Sequence, residues 1–244
     1  MRAPEGDDEG SREEGDGADP RERIVDRSPF AGLAGASRGA VLDLGKVERF
    51  GRKQRIIQQG EPPRSLLLIG AGRIKLERVG QGRSFSIGHR GPGELVGETG
   101  LTGAGVATEN AVALDEAEAL VLPLGGLRKL IAADATVRSA VAAALVARQI
   151  EAEARLASLL ALGVEARLVE FLAAAARRWG QPHPAGEIVV APFTHADIAL
   201  LIGSTRETVT LLLGKLKRAG MIAFERRRII IRDADALARR VVPT

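Results

Sequence analysis

Thr194-His-Ala-Asp-Ile-Ala-Leu-Leu-Ile-Gly203-Ser-Thr-Arg-Glu-Thr-Val-Thr210 is the stretch that decides the fold. Thr194 is a strong helix N-cap, and Asp197, three positions on, makes a short capping box. Ile198, Leu201 and Ile202 give the first helix its apolar face, and Gly203 supplies a turn. A second helix is expected to start at Ser204 or Thr205. Its Val209, Leu212, Leu213 and Leu216 fall at i, i+3, i+4 and i+7 and face inward. Arg206, Glu207, Thr210 and Gly214 then face outward. Beyond it, Met221–Phe224 and Ile229–Ile231 read as two strands with Arg226, Arg227 and Arg228 at the tip, a wing-like hairpin. Two helices meeting at a glycine, followed by a basic hairpin, predict an element that pushes one helix into a DNA major groove.

An Arg–Glu pair at the start of such a helix suits base reading. Arginine can bond a guanine edge in two places, and glutamate can accept from cytosine. The plainer alternative is that Ser204 and Glu207 form a capping box and nothing more. Lys215, Lys217 and Arg218 close the helix, where cations also complement its dipole. Residues 194–232 carry eight basic and three acidic side chains, a local excess of +5. Such charge supplies affinity for phosphates rather than sequence choice.

The chain has 244 residues, enough for one large or two medium domains. With 45% hydrophobic but only 3% aromatic residues, its core must be built from Ala, Val, Leu and Ile. There is no cysteine, which removes disulfides, thiolate zinc sites and cysteine-ligated iron–sulfur clusters. That usage fits a cytoplasmic protein. No apolar run reaches the length of a membrane-spanning helix, and the acidic N-terminus is no secretory signal. Residues 1–28 hold ten acids and five arginines, leaving 30 basic against 21 acidic residues in the remainder, +9. That excess favours a polyanionic partner, although a solvated positive face gives the same number.

Residues 1–28 have almost no apolar content and are expected to be a disordered, acidic tail. Weak helical turns follow from Ile24 to Leu44. From Lys46 to Leu122 short strands alternate with Gly and Pro; Ile74/Leu76 and Phe85/Ile87 show the period of a half-buried strand. Many short strands at this spacing predict an antiparallel sandwich or roll. From about Leu127 the pattern is helical. Val141, Leu145, Ala152, Leu156 and Leu159, with Arg148 in the missing step, form an apolar seam that wants a partner, either the chain's own β domain or a second subunit. Ala166–Trp179 is another amphipathic helix, residues 180–186 read as a loop, and Ile188–Val190 as a short strand.

The run Ile198–Ile222, centred on Gly203-Ser-Thr-Arg206-Glu207-Thr208-Val209, resembles the Crp/Fnr family of bacterial regulators. So do Phe50-Gly51, Ile57 and Gln59-Gly60-Glu61, the run Leu68-Ile69-Gly70-Ala71-Gly72-Arg73-Ile74-Lys75-Leu76, and Gly93-Glu94-Leu95-Val96-Gly97-Glu98-Thr99-Gly100-Leu101. The resemblance implies an α+β chain: an N-terminal antiparallel β-roll of the cyclic-nucleotide-binding jelly-roll type over 29–134, a long dimerisation helix over 135–163, and a C-terminal winged helix-turn-helix over 164–244. It implies a homodimer on a two-fold symmetric double-stranded DNA site with half-sites one helical turn apart, and RNA polymerase as a further partner. The candidate DNA-contacting residues are Ser204, Thr205, Arg206, Glu207, Thr210, Leu211, Lys215, Arg226, Arg227 and Arg228. An effector in the roll would shift the spacing of the two recognition helices. Its pocket is carried over to Leu95, Val96, Gly97, Glu98, Thr99, Thr108, Glu109 and Asn110.

The departures from that pattern are chemical. Relatives that bind cyclic AMP place an arginine on the cyclic phosphate; here Thr108 stands at that position, with Glu109 beside it. A carboxylate where a phosphate should sit is repulsive, so tight cyclic AMP binding is not expected. Ala152 and Glu153 replace the hydroxyls that those relatives offer to the purine. Haem, held by histidine in some relatives, would have only His89, His183 and His195 to draw on, and His89 reads more simply as a structural or surface residue. Leu211 occupies a groove-edge position where many relatives carry arginine; it can touch a thymine methyl but cannot read guanine. Two other functions remain open. An adaptor would use the helix-turn-helix for protein contacts, against which Arg206, Glu207 and the basic wing argue. A cupin-like metalloenzyme would need clustered histidines, and the roll has only His89.

Overall fold

Asp19 opens the first element of the computed structural model, which describes residues 19–80, 82–103, 105–189, 193–225 and 228–239. Its carboxylate accepts from the Arg21 backbone N–H at 2.9 Å, and Pro20 follows at the first helical position, so helix α1 (Pro20–Asp26) starts on two favourable signals. Ile24 and Val25 are fully buried. Disorder was expected over 1–28. For residues 19–28 that expectation is corrected; residues 1–18 lie outside the described part. Two apolar residues suffice here because Gly70 offers a flat seat: a Cβ added there would come within 2.5 Å of Ile24.

Helix α2 (Gly35–Leu44) leads into the strands β1 (Lys46–Phe50), β2 (Arg55–Ile57), β3 (Ser65–Ala71), β4 (Ile74–Gly80), β5 (Arg83–Arg90), β6 (Leu95–Val96), β7 (Asn110–Ala113) and β8 (Ala117–Pro123). They form two four-stranded antiparallel sheets, ordered β1-β8-β3-β6 and β2-β7-β4-β5. One core lies between the sheets, around Phe50, Leu67, Ile69, Ile74 and Leu76. Leu66, Leu68, Leu120 and Leu122 point the other way, onto α1, α2 and the helices after β8. Strand β3 is therefore covered on both faces, which explains its unbroken Leu66-Leu67-Leu68-Ile69 run. The expected alternation holds at Ile74 and Leu76. It fails at Phe85, which is 39% exposed, because a register shift between Leu76 and Glu77 turns the outer part of the β4–β5 hairpin.

Helix α3 (Leu124–Ala133) meets α4 (Ala135–Ala161) at Asp134. The Asp134 carboxylate accepts from the Thr136 and Val137 N–H groups at 2.8 and 3.2 Å and caps the longer helix. Hydrogen bonds from the side chains of Ser37 and Thr136, joined by these backbone donors, pull its pKa down to about 2. The 27 residues of α4 make a rod of about 40 Å. The seam expected along Val141–Leu159 is divided. Val141 is buried in the chain's own roll core, and Leu145 and Arg148 line a cleft against the roll. Leu145, Leu156 and Leu159 of that seam stay exposed, and beside them a second uncovered row runs through Val146, Ile150, Ala157 and Leu160, with Glu153 in the missing step; Ile150 is 60% and Leu160 81% exposed. Among the described residues no single helix is long and apolar enough to cross a membrane.

The C-terminal part contains α5 (Val164–Trp179), β9 (Gly180–His183), β10 (Gly186–Val189), α6 (His195–Ile202), α7 (Arg206–Arg218), β11 (Ile222–Glu225), β12 (Arg228–Ile231) and α8 (Ala234–Arg239). Its third sheet runs β11-β12-β10-β9, and its core gathers Leu168, Leu172, Ile198, Val209, Leu213 and Leu216. The expected loop at 180–186 is instead half of a hairpin. Gly-Gln-Pro-His lacks the β-branched residues that announce a strand, and Pro182 is tolerated because β9 is an edge.

Candidate nucleic-acid interface and effector cleft

The turn between α6 and α7 is built from both sides. The Thr194 hydroxyl accepts from the Asp197 N–H at 3.1 Å, and the Asp197 carboxylate accepts from the Thr194 N–H at 3.1 Å, the reciprocal capping box. Gly203 ends α6 with φ 63°, the left-handed conformation that glycine enters without penalty. Ser204 still belongs to this turn, its N–H bonded to Ala199 O at 2.8 Å. Thr205 is the cap of α7: its hydroxyl accepts from the Thr208 N–H at 3.2 Å. The reading of Ser204 and Glu207 as a capping box is thereby corrected. A left-handed glycine leaves the chain one residue short of the β conformation that a cap needs.

Arg206 and Glu207 consequently occupy the first turn of α7, exposed, and their side chains make no hydrogen bond or ion pair with another described residue. Val209, Leu212, Leu213 and Leu216 are buried and fix the roll of the helix about its axis. On the outer face Thr210 donates to Arg206 O at 2.8 Å. His195 Nδ1, 2.8 Å from the same hydroxyl, must then carry the hydrogen. Leu211 is 59% exposed and Lys215 is exposed one turn further along. Arg228 is exposed at the start of β12, while Arg226 and Arg227 lie outside the described residues. Phe224 sits at the base of the wing, 5.9 Å beneath the Lys217 ammonium.

Two arginines not anticipated from the sequence collect the free carbonyls at the end of α6. Arg167 donates to Ile202 O at 2.7 Å, Gly203 O at 3.2 Å and Leu162 O at 2.6 Å. Arg155, on α4, donates through Nε and Nη2 to Leu201 O at 3.2 and 2.9 Å and through Nη1 to Ile87 O on β5. Helix C-termini favour cations in this way. No local pattern could reveal it, since the α6 carbonyls that these arginines serve lie 35 or more positions away.

The effector-side residues are dispersed. A cleft of about 200 Å³ opens between α4 and the β6 region, lined by Leu95, Glu98, Leu145, Arg148, Arg90, Glu94 and Glu151 among others. Gly97, at φ 95°, turns the chain so that Glu98 opens a short 3-10 turn beneath α4. Glu98 pairs with Arg148, and the same guanidinium reaches Glu109 at 3.5 Å. Thr108 bonds to Glu109. Val96 is turned into the core between the sheets, Asn110 Oδ1 accepts from the Gln59 N–H at 2.9 Å, and Thr99 O accepts from the Thr102 hydroxyl. Of the eight residues, the structure thus brings Glu98 and Glu109 together on one arginine and sets Leu95 at the cleft wall.

The roll and the C-terminal part meet directly. Arg178 of α5 pairs with Glu94 of the roll and, at 2.6 Å, with Glu151 of α4; Arg90 lies 3.9 Å from each carboxylate. Lys75 reaches Asp197 at 3.6 Å. His89 is buried at this junction, its ring edge-on to Phe193 at 4.8 Å, and its Nε2 finds no partner among the described residues. Desolvation pulls its pKa down to about 3, so the ring is neutral.

The family model for a cyclic nucleotide-binding domain matches residues 47–134, and that for a Crp-like helix-turn-helix domain matches residues 166–240. The chain is 29% identical over 212 residues to the CRP-like cAMP-activated global transcriptional regulator of Mycobacterium tuberculosis, covering 86% of this chain and 95% of that protein. It is 32% identical to the regulatory protein CysR of Synechococcus elongatus, covering 69% of this chain and 77% of that one. Among solved structures, a transcriptional regulator of the CRP family from Thermus thermophilus superposes with a TM-score of 0.67 at 29% identity, over 80% of this chain and 96% of the other. With its roll, long helix and winged helix-turn-helix in this order, the chain belongs to the Crp/Fnr family of transcription regulators, which bind DNA through a Crp-like helix-turn-helix domain.

Proposed function

We propose that two copies of this chain pair along α4 and set their α7 helices into successive major grooves of a two-fold symmetric DNA site, in the cytoplasm. The observation that carries this reading is the first turn of α7, where Arg206 and Glu207 stand exposed and, among the described residues, unpaired on a helix whose opposite face is locked into the core. Arg206 would take a guanine edge and Glu207 a cytosine amine, with Ser204, Thr205, Thr210 and Leu211 against the groove wall. Lys215 and Arg228, with Arg226 and Arg227 of the wing, would meet phosphates. The uncovered Val146, Ile150, Ala157 and Leu160 row supports pairing, since three–four spacing on a long helix is what a second helix buries. The working units are 29–134 for the roll, 135–163 for pairing and 164–244 for DNA, and regulation runs through a contact with RNA polymerase. The role is one of binding, not catalysis. Against the roll, the Glu98–Arg148–Glu109 group supports an effector other than cyclic AMP, because both arginines of the cleft already face carboxylates, Arg148 those of Glu98 and Glu109 and Arg90 those of Glu94 and Glu151, and neither is left free for a phosphate.

Selection of bound fragments from random duplex DNA tests this. The expected product is a palindromic motif. Arg206→Ala should relax preference at one position in each half-site by about 1–3 kcal/mol. Arg227→Ala should weaken all sequences alike and lower the salt slope by about 1. An Arg206→Ala variant that selects the unchanged motif removes Arg206 from base reading.

A further inference from the structure

We infer that Arg155 is the positioning residue that fixes the helix-turn-helix against α4 and the roll, and so sets the separation of the two recognition helices on DNA. The inference rests on the DNA-reading proposal above and adds to it the residue that transmits position. Three elements converge on one guanidinium. Its Cα belongs to α4, Nη1 donates to Ile87 O on β5, and Nε and Nη2 both donate to Leu201 O near the end of α6. Leu201 lies two residues before the left-handed Gly203 that turns the chain into α7. A displacement of α4 relative to β5 must therefore move the α6–α7 turn or break these bonds.

The opposite end of the linkage lies on the same helix face. Arg148 and Arg155 are seven positions apart, close to two full turns, which is about 10 Å along the axis. Arg148 is held by Glu98 of the cleft and by Glu109 of the roll; Arg155 is held by carbonyls of the roll and of α6 just before the turn. Between them Glu151 ties α4 to Arg178 of α5. A rigid rod anchored at both places carries a change in the cleft to the turn without any alteration in α7 itself. The planar fork of arginine matters, because it holds two carbonyls on different elements at once; a lysine ammonium lacks that fixed geometry.

The test uses the full chain and two readouts. The protein has no cysteine, so Arg52→Cys and Ala219→Cys, both at exposed positions outside this junction, allow spin labels on the roll and beside α7. Labelled protein is diluted into excess unlabelled protein, so that pairs within one copy are read by pulsed dipolar spectroscopy. Arg155→Gln is expected to broaden the distance distribution, and Arg155→Lys to fall between it and wild type. On DNA carrying the selected motif, Arg155→Gln should lose about tenfold of the preference for native half-site spacing over spacing changed by one base pair, within the usual range of coupling between sites. Base preference inside each half-site should stay as in wild type. A loss of folding alone would lower the binding-competent fraction equally for both spacings. An unchanged distance distribution overturns the inference, whatever the DNA result. Broadened distances with unchanged spacing preference confine Arg155 to docking and overturn its role in DNA reading. If the wild type selects no motif, the DNA-reading proposal fails by itself, and with it the spacing role of Arg155; the spin labels then decide only its hold on the turn.

Discussion

Single residues carry unequal weight at the α6–α7 turn. Gly203 has φ 63°, and a Cβ added there would stand 3.0 Å from Leu159 Cδ2. Gly203→Ala should cost about 1–2 kcal/mol from backbone strain alone. For a chain of this size that lowers the thermal midpoint of the C-terminal unit by several degrees, at about 2–4 °C per kcal/mol. Scanning calorimetry should show it; an unshifted midpoint would mean that the turn relaxes into another conformation. This position was legible in advance, because only glycine serves a turn so short between two apolar helices. The cap one step on was not. Ser204 and Thr205 are equally good capping residues, and the choice between them depends on how far Gly203 unwinds the chain. Arg155 and Arg167 were invisible for a different reason: a carbonyl acceptor carries no residue identity, so no sequence pattern marks it.

At the level of elements, α4 divides its circumference among several neighbours. One row faces the roll, one carries Glu151 and Arg155 to the C-terminal part, and one is left uncovered. Ile150→Glu or Leu160→Glu places a charge on the uncovered row, where 60% and 81% of those residues are open to water in a single copy. The single chain should fold normally with either change. Pairing should weaken by about 2–3 kcal/mol per copy, on the scale of burying one such side chain. Sedimentation velocity should then find monomer where the wild type gives dimer, and a variant that still sediments as dimer would move the seam elsewhere. The sequence showed that α4 wants partners, and Leu145, Leu156 and Leu159 of the expected seam do stay exposed; it did not show that the roll takes Val141 or that a second row through Ile150 and Leu160 stands open beside them. A spacing of three and four fits neighbouring rows on an alanine-rich helix nearly equally well, and burial by the roll decides between them. Helix α1 escaped for the opposite reason. Its apolar content is too small to register, and what places it is tertiary: Ile24 seats on Gly70, and Ile24 and Val25 join the roll core.

For the molecule as a whole, the junction between roll and DNA-binding part ties stability to acidity. His89 has a pKa of about 3 in the folded chain against 6.5 when unfolded. The folded form therefore binds fewer protons than the unfolded form between these values. The stabilisation is complete above pH 6.5 and is lost as pH falls towards 3, at about 1.4 kcal/mol per pH unit. Urea unfolding at about pH 7 and about pH 5 should differ by about 2 kcal/mol from this group. His89→Leu should flatten that dependence; an equal acid loss in the variant assigns it to other groups. The overall order of roll, rod and winged helix-turn-helix was readable from three separated motifs. The docking of the outer parts on each other was not, because Glu94, Glu151 and Arg178 look in the sequence like ordinary solvated charges.

Strand β3 sets a limit on how descendants of this chain can change. Leu66 and Leu68 are packed into the core on one face and Leu67 and Ile69 into the core on the other, so a change of size at any of the four disturbs one core or the other. Inheritance has little latitude there. A lineage that refits the roll to a different signal has to do so through strands with one wet side, chiefly β4 and β5, whose outer halves face solvent while their inner ends, at Lys75 and His89, abut the reader of DNA.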